Sequence, residues 1–268
     1  MKPRVAVLVL VVLPLLLWAM PAQGADLAPS GTFGSSTGSD DLGGALRLSV
    51  DLGPQMKPTA FVGAIKIAIL LTILSLAPAI FLTTTCFTRI LVVFAFLRHA
   101  MGTQSMPPNQ VVTGLAFFLS LFVMAPTYEA AYRDGIGPFL AEKMSLTDAA
   151  PRALAPLRAF MLKHTRDADL TLMIKASHAP RPERPENVPT TTLIPAFILS
   201  ELRTSFEMGF LLFIPFLVLD MVTSTVLMSL GMMMLPPQLI SLPFKVMLFV
   251  LVDGWNLVVA SILRSYAV

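Results

Sequence analysis

The chain has 268 residues, 55% of them hydrophobic and 13% charged, against about 45–50% and about 25% in ordinary soluble domains. Ten charged side chains fall in the 144 residues of 61–127 and 192–268, whereas seventeen fall in the 64 residues of 128–191. Two apolar blocks around a polar one cannot share a soluble core, so ordinary cytosolic enzyme folds are excluded and an integral membrane or membrane-assembled protein is indicated.

Residues 1–24 read as a cleavable signal peptide. Lys2 and Arg4 give a short basic start, Val5 to Trp18 is an apolar run, and Ala22-Gln23-Gly24-Ala25 offers a cut after Gly24, or after Ala25. An uncleaved anchor is the alternative, but the run is short for a span. Cleavage lowers the formal charge from +3 to +1, so the basicity belongs mostly to the leader and gives no ground for nucleic-acid binding.

Residues 25–58 read as a flexible extracytoplasmic tether. Ser30 to Gly44 is dominated by Gly, Ser, Thr and Asp, which bury too little surface to order themselves. Ala45 to Val50 could add a short strand.

Residues 59–130 read as a first helical hairpin. Phe61 to Leu82 is long enough to cross a bilayer, with Lys66 in its first turns and Pro78 near its end, and the stretch to Leu97 continues it with Arg89 embedded. Gly102 and Pro107-Pro108 break the pattern, and Asn109 is placed to cap a second helix from Val111 to about Tyr128. Cys86 cannot form an intrachain disulfide and reads as a small buried hydrophobe.

Residues 131–191 form a polar insert. Counting spans from a cleaved leader places it outside the cytoplasm. Its nine Lys and Arg would place it inside on a bare charge count, but that rule weakens for loops of about 60 residues. A helix starting near Pro151 puts Leu154, Leu157, Phe160 and Met161 on one face, Leu170, Met173 and Ile174 suggest another, and Pro180-Arg181-Pro182 ends the ordered part. His164 and His178 are expected at the surface, since no Cys or carboxylate stands at metal spacing from them.

Residues 192–268 read as a second hairpin, interrupted by a kink at Pro215, with a final helix over about Ser241 to Ser265. Its tip holds Gly231, Met232, Met233, Met234, Pro236 and Pro237. Glu201, Arg203, Glu207, Asp220, Lys245 and Asp253 lie within this block. A charge facing lipid costs about 2.5–3.5 kcal/mol at a helix centre, so these groups should face protein or water. Arg203 and Glu207 can pair at i,i+4; Asp220 and Lys245 could pair across the hairpin or between subunits. The fold class is therefore an all-α integral membrane protein of two hairpins, about four apolar helices, with a small helical insert.

Several segments resemble the FliP family of flagellar type III export proteins, which is shared with injectisomes. They are Pro195 to Leu202, Phe206-Glu207-Met208-Gly209-Phe210, Ile214-Pro215-Phe216-Leu217, Leu230 to Met234 with Pro236-Pro237, and Leu242-Pro243-Phe244-Lys245 extended through Trp255. Upstream, Cys86 to Ile90, Gly102 to Ser105, Pro107 to Gln110 and Pro156 to Leu162 match as well. The leader resembles the flagellar branch, whereas the tether departs from the family pattern.

The resemblance implies the core of an export gate in the bacterial inner membrane, within the flagellar basal body. Copies of the chain, a pentamer in the family, would assemble helically with FliQ and FliR, near FlhB and FlhA, and unfolded flagellar proteins would pass through the lumen. Met232, Met233 and Met234 would then form a gasket, since flexible thioethers can repack around a moving chain while excluding water. The resemblance implies no enzyme and no cofactor, and the chain has no G-x-S-x-G, H-E-x-x-H or phosphate-binding Gly-rich motif. An ion channel or secondary transporter using the intramembrane Lys and Asp is the rival class.

Overall fold

The computed structural model describes residues 58–103, 106–177, 184–232 and 235–266. The leader, the tether with its strand, Pro180 to Pro182, His178, Met233 and Met234 lie outside the described residues. Every regular element among the described residues is helical, and the chain is an all-α membrane protein.

Helix α1 runs Pro58–Thr84. Its residues up to Pro78 belong to one compact unit, and Ala79 onward belongs to the other. In the first unit Ile65, Ile67, Ile69, Leu71 and Leu76 are all exposed. The Thr72 hydroxyl donates to the Ala68 carbonyl at 2.8 Å, which hides the hydroxyl in an apolar setting.

The second unit contains the core. The stretch expected to run on from Thr83 to Leu97 is broken at Thr85 and Cys86. Helix α2 (Phe87–Ala100) follows the break, and Ser75–Thr84 and Phe87–Ala100 are bent by 72°. Threonines line the break: Thr83, Thr84 and Thr85 donate back to the carbonyls of Ala79, Ile80 and Phe81, and Thr88, from beyond the break, donates to the Leu82 carbonyl, one of the last of α1. Cys86 sits in the break, fully buried, with its thiol 3.4 Å from the Ser120 hydroxyl.

Helix α2 buries Ile90, Val93, Phe94 and Leu97, the spacing of one helical face. Helix α3 is Asn109–Ala131 and continues through a π turn at Tyr132–Ile136 into the short α4, Gly137–Leu140. Asn109 is not its cap. Pro108 holds that position without a side-chain bond, and the Asn109 side-chain oxygen Oδ1 accepts instead from Arg98 Nη1.

The insert begins with α5 (Leu146–His164), five residues earlier than Pro151, because Ser145 caps it by accepting from the Asp148 N–H. Helix α6 (Asp167–Ala176) opens with Asp167 and Asp169, favoured by the helix dipole. Met161, Val188, Leu193 and Phe197 form a core joined by Leu157, Phe160, Leu170 and Ile174. Leu154, expected on that face, is exposed: at this level of the helix the packed side is the one carrying Ala149 and Ala153, which lie against Gly135 so closely that a Cβ there would come within 2.8 Å.

Helix α7 (Thr190–Ser229) carries Pro195 and Pro215 inside 40 residues, so the helix does not end at Pro215. At about 1.5 Å per residue it is roughly 60 Å long, twice a bilayer core of about 30 Å. Gly209 lets α2 close on it, because a Cβ there would lie 2.5 Å from the Phe96 ring. The expected final helix is two: α8 (Pro237–Leu251) and α9 (Gly254–Ser265), bent by 63°. Asp253 turns the corner in the left-handed region at φ 51°, and Gly254 leaves room for Phe249, whose ring would lie 2.2 Å from a Cβ.

By length and composition, Asn109–Leu140 and Thr190–Ser229 can each cross a membrane, and the two bent pairs bring the number to as many as four. Only 11% of the most apolar window of α7 is buried within the chain.

Candidate functional site

The tip between α7 and α8 is shaped by its glycine. Gly231 adopts φ +74°, the Met232 N–H donates to the Leu227 carbonyl at 3.0 Å, and the Gly231 N–H donates to Met228 at 3.1 Å. This pair of bonds satisfies the last carbonyls of α7 and stops it. Pro236 and Pro237 then start α8, where the missing N–H costs nothing. Met232 lies on this turn, exposed together with Leu230 and Leu235; its two methionine neighbours fall outside the described residues.

A little over two helical turns behind the tip, the two arms are joined by charge. Lys245 Nζ is 2.6 Å from Asp220 Oδ2 and donates also to the Ala100 carbonyl, 3.1 Å away, where α2 ends. Ser241 donates to the other carboxylate oxygen at 2.6 Å. The Lys245 side chain is 5% exposed and that of Asp220 27%, because Asp220 borders an open groove of about 580 Å³ with Met221, Ser224, Thr225, Met228 and Gln238.

At the other end of α7, Glu201 is paired with Arg89 of α2, and both side chains are almost wholly enclosed, at 1% and 4%. Arg89 Nε donates to Glu201 Oε2 at 2.9 Å, Nη2 donates to Oε1, and Nη1 donates to the Ser265 hydroxyl at 3.0 Å. Arg203 lies 3.3 Å from Glu207, and Arg166 of the insert binds the same carboxylate. Asp253 is exposed at the α8–α9 corner and accepts from Asn256 at 3.1 Å. Lys66 lies in α1; Gly24 and Ala25 are outside the described residues.

Several contacts were not legible from spacing. Ser200 accepts from the Arg166 N–H at 3.0 Å and donates to Asp169 at 2.7 Å, pinning α6 on α7. Arg158 donates to the Glu186 and Val188 carbonyls and to Thr190, fixing the return into α7. Tyr266 closes the Arg89–Glu201 pair. His164 is not the surface residue expected: its ring stands 4.6 Å from Phe160 and 5.0 Å from Tyr266. Burial pushes its pKa down to about 4, and Arg89 and Lys163 add to the effect. The apolar run ending at Met161 could have hinted that the next turn is covered; nothing local pointed to Tyr266. Among the described residues no three His, Cys, Asp or Glu side chains gather in a metal-holding cluster.

The model of the FliP family matches residues 70–262. The flagellar biosynthetic protein FliP of Bacillus subtilis is 52% identical over 202 residues, 75% of this chain and 91% of that protein. The protein of the same name from Caulobacter vibrioides is 52% identical over 74% of each chain, and that from Pectobacterium carotovorum is 48% identical over 76% of this chain and 79% of its own. The chain belongs to the FliP family, a component of flagellar biosynthesis and not an enzyme.

Proposed function

We propose that this chain is a core subunit of the flagellar type III protein export gate, and that copies of it assemble with FliQ and FliR into the conduit for unfolded flagellar proteins. The observation that carries this reading is α7. A helix of 40 residues is about twice the length a bilayer core can cover, and its own chain covers little of it. Neighbouring subunits supply the missing cover. The charges of α7 fit the same reading, since Glu201 and Asp220 are paired within the chain and the exposed Arg203 and Glu207 sit together near its insert end, while Phe210, Leu211, Ile214, Leu217 and Val218 beyond them are exposed and apolar.

The tip supplies the gasket: Met232, Met233 and Met234 line the lumen and deform around the passing chain. Residues 1–24 are the leader and 25–58 the extracytoplasmic tether; 59–130 and 192–268 are the hairpins, with 131–191 outside the cytoplasm between them. FlhB and FlhA stand nearby in the inner-membrane apparatus.

Native mass measurement of the complex purified after co-expression with FliQ and FliR tests the assembly. A multimer of this chain carrying both partners is expected; a monomer, or a closed homodimer without partners, overturns the proposal. The groove beside Asp220 favours the rival reading of an ion channel or transporter. It requires ion flux from this chain alone in liposomes, where the export-gate reading requires none.

A further inference from the structure

A charge in apolar surroundings needs a counter-charge or water, so the charges of the two apolar blocks can be paired off one by one. Among the described residues Arg89 takes Glu201, Arg203 takes Glu207 and Lys245 takes Asp220. Asp253 is the carboxylate of these blocks left without a cation, and it accepts only from the neutral Asn256. Two cations are left over in turn. Arg264 stands in the last turn of α9, where the helix end itself favours positive charge. Arg98 stands in the last turn of α2, but there Lys245 already serves the terminal carbonyl of Ala100, and the Arg98 guanidinium donates to the neutral side-chain oxygen of Asn109.

The corner that carries Asp253 is apolar. Val250, Leu251, Val252 and Leu257 are exposed around it, and Trp255 is partly so. It is also firmly held: Trp255 meets Phe249 edge-on at 5.4 Å and lies 6.4 Å from Phe94 of α2, so little ordering is left to pay on docking. Lipid is a poor cover for it, because a lipid-facing carboxylate costs about 2.5–3.5 kcal/mol at a helix centre. Water alone would leave the surrounding apolar side chains wet. The surface that complements it is on the same chain. Arg98 is bound to Asn109, and the exposed Met106 and Val111 lie on either side of Asn109 in the chain, so a cation stands among apolar groups where the corner has an anion among them. The two surfaces do not pair within one chain. Two different, mutually fitting surfaces on one chain make a head-to-tail contact that repeats from copy to copy.

We propose that the α8–α9 corner docks on the end of α2 in a second copy of this chain, with Asp253 taking Arg98 of that copy. The inference rests on the export-gate reading, since it needs copies that assemble, and adds to it which surfaces meet and which charge sets their register.

The experiment uses the full-length protein co-expressed with FliQ and FliR in two tagged forms, one carrying Val252→Cys and the other His99→Cys. Both positions are exposed neighbours of the proposed pair and leave its charges in place, whereas Cys86, the chain's one cysteine, is fully buried. A short bis-maleimide is expected to join the two forms to each other in excess over either form to itself. Asp253→Lys in both forms sets two cations against each other and is expected to cut the mixed product about tenfold or more, and adding Arg98→Glu is expected to restore it. If native mass shows a multimer with both partners and the mixed product is no more abundant than the others, the inference is overturned while the export-gate reading stands; this arm needs no charge variant to fold. An unchanged yield with Asp253→Lys overturns it too, since the surfaces would then meet without the charge. A monomer by native mass overturns both.

Discussion

Two ion pairs of α7 lie 19 residues apart, at Glu201 and Asp220, and differ in one respect that decides their roles. Glu201 and Arg89 are sealed: two further side chains, Tyr266 and Ser265, bond to what the pair leaves open, and only 1% and 4% of the two side chains is exposed. Asp220 and Lys245 are equally close in geometry, yet Asp220 keeps about a quarter of its side chain exposed to an open groove at the hairpin tip. Both hold α7 to its neighbours. The sealed pair is a fixed point of the insert end, whereas the open one sits where water or a neighbouring subunit can reach it, next to the turn that carries Met232.

Breaking the sealed pair should have the largest effect. Glu201→Ala leaves Arg89 enclosed without a counter-charge, and a loss of about 3–5 kcal/mol is expected; thermal unfolding of the detergent-solubilised protein measures it, and a change below 1 kcal/mol would show that water reaches the pair. Lys245→Ala strands Asp220 at the mouth of the groove. Partial hydration there limits the expected loss to about 1–3 kcal/mol. If the second variant proves as damaging as the first, the distinction between sealed and open pairs fails.

Much of this arrangement could be read from the residues, and the limits have physical causes. The apolar blocks, the Met tip and the pairing partners Arg203 and Glu207 follow from composition and from i,i+4 spacing. Helix ends were less legible because short-range signals compete with tertiary ones. Ser241 looks like the start of the last helix, but α8 already begins at Pro237, where a proline at the first helical position gives up no hydrogen bond. The break at Asp253 has no Pro, and its left-handed backbone is set by the fit of Phe249 against Gly254. The Arg89–Glu201 pair spans 112 positions and Tyr266 lies 65 beyond Glu201, so no periodicity could join them.

His164 tests the wall of the sealed end. Its folded pKa of about 4 lies below the ordinary value near 6.5. Between these limits the unfolded chain binds a proton that the folded chain refuses, so stability rises with pH there and is lost as pH falls from about 6.5 toward 4. Solvent reaches part of the ring, which reduces the size of the effect. Melting curves at pH 7 and pH 4.5 should show a larger drop for the native protein than for His164→Phe, which keeps an aromatic wall but cannot titrate. Equal drops would place the ring in water and weaken the case for a sealed insert end.

The third charge cluster sets the lower bound of the comparison. Arg203, Glu207 and Arg166 are exposed by 58%, 50% and 35%, so each is still largely hydrated in the folded chain and little desolvation is at stake. Arg203→Ala leaves Glu207 bound by Arg166 through both oxygens, and the expected loss is below about 0.5 kcal/mol, falling further as salt is raised. Arg166→Ala differs because its side chain bridges from the insert to α7, although its backbone N–H still binds Ser200. A loss of up to about 1 kcal/mol is expected there, vanishing in high salt. Salt should leave the Glu201→Ala loss untouched, since screening ions cannot enter a pair with 1% and 4% of its side chains exposed; a salt-dependent loss at Glu201 would mean that the insert end opens to solvent as freely as this outer cluster.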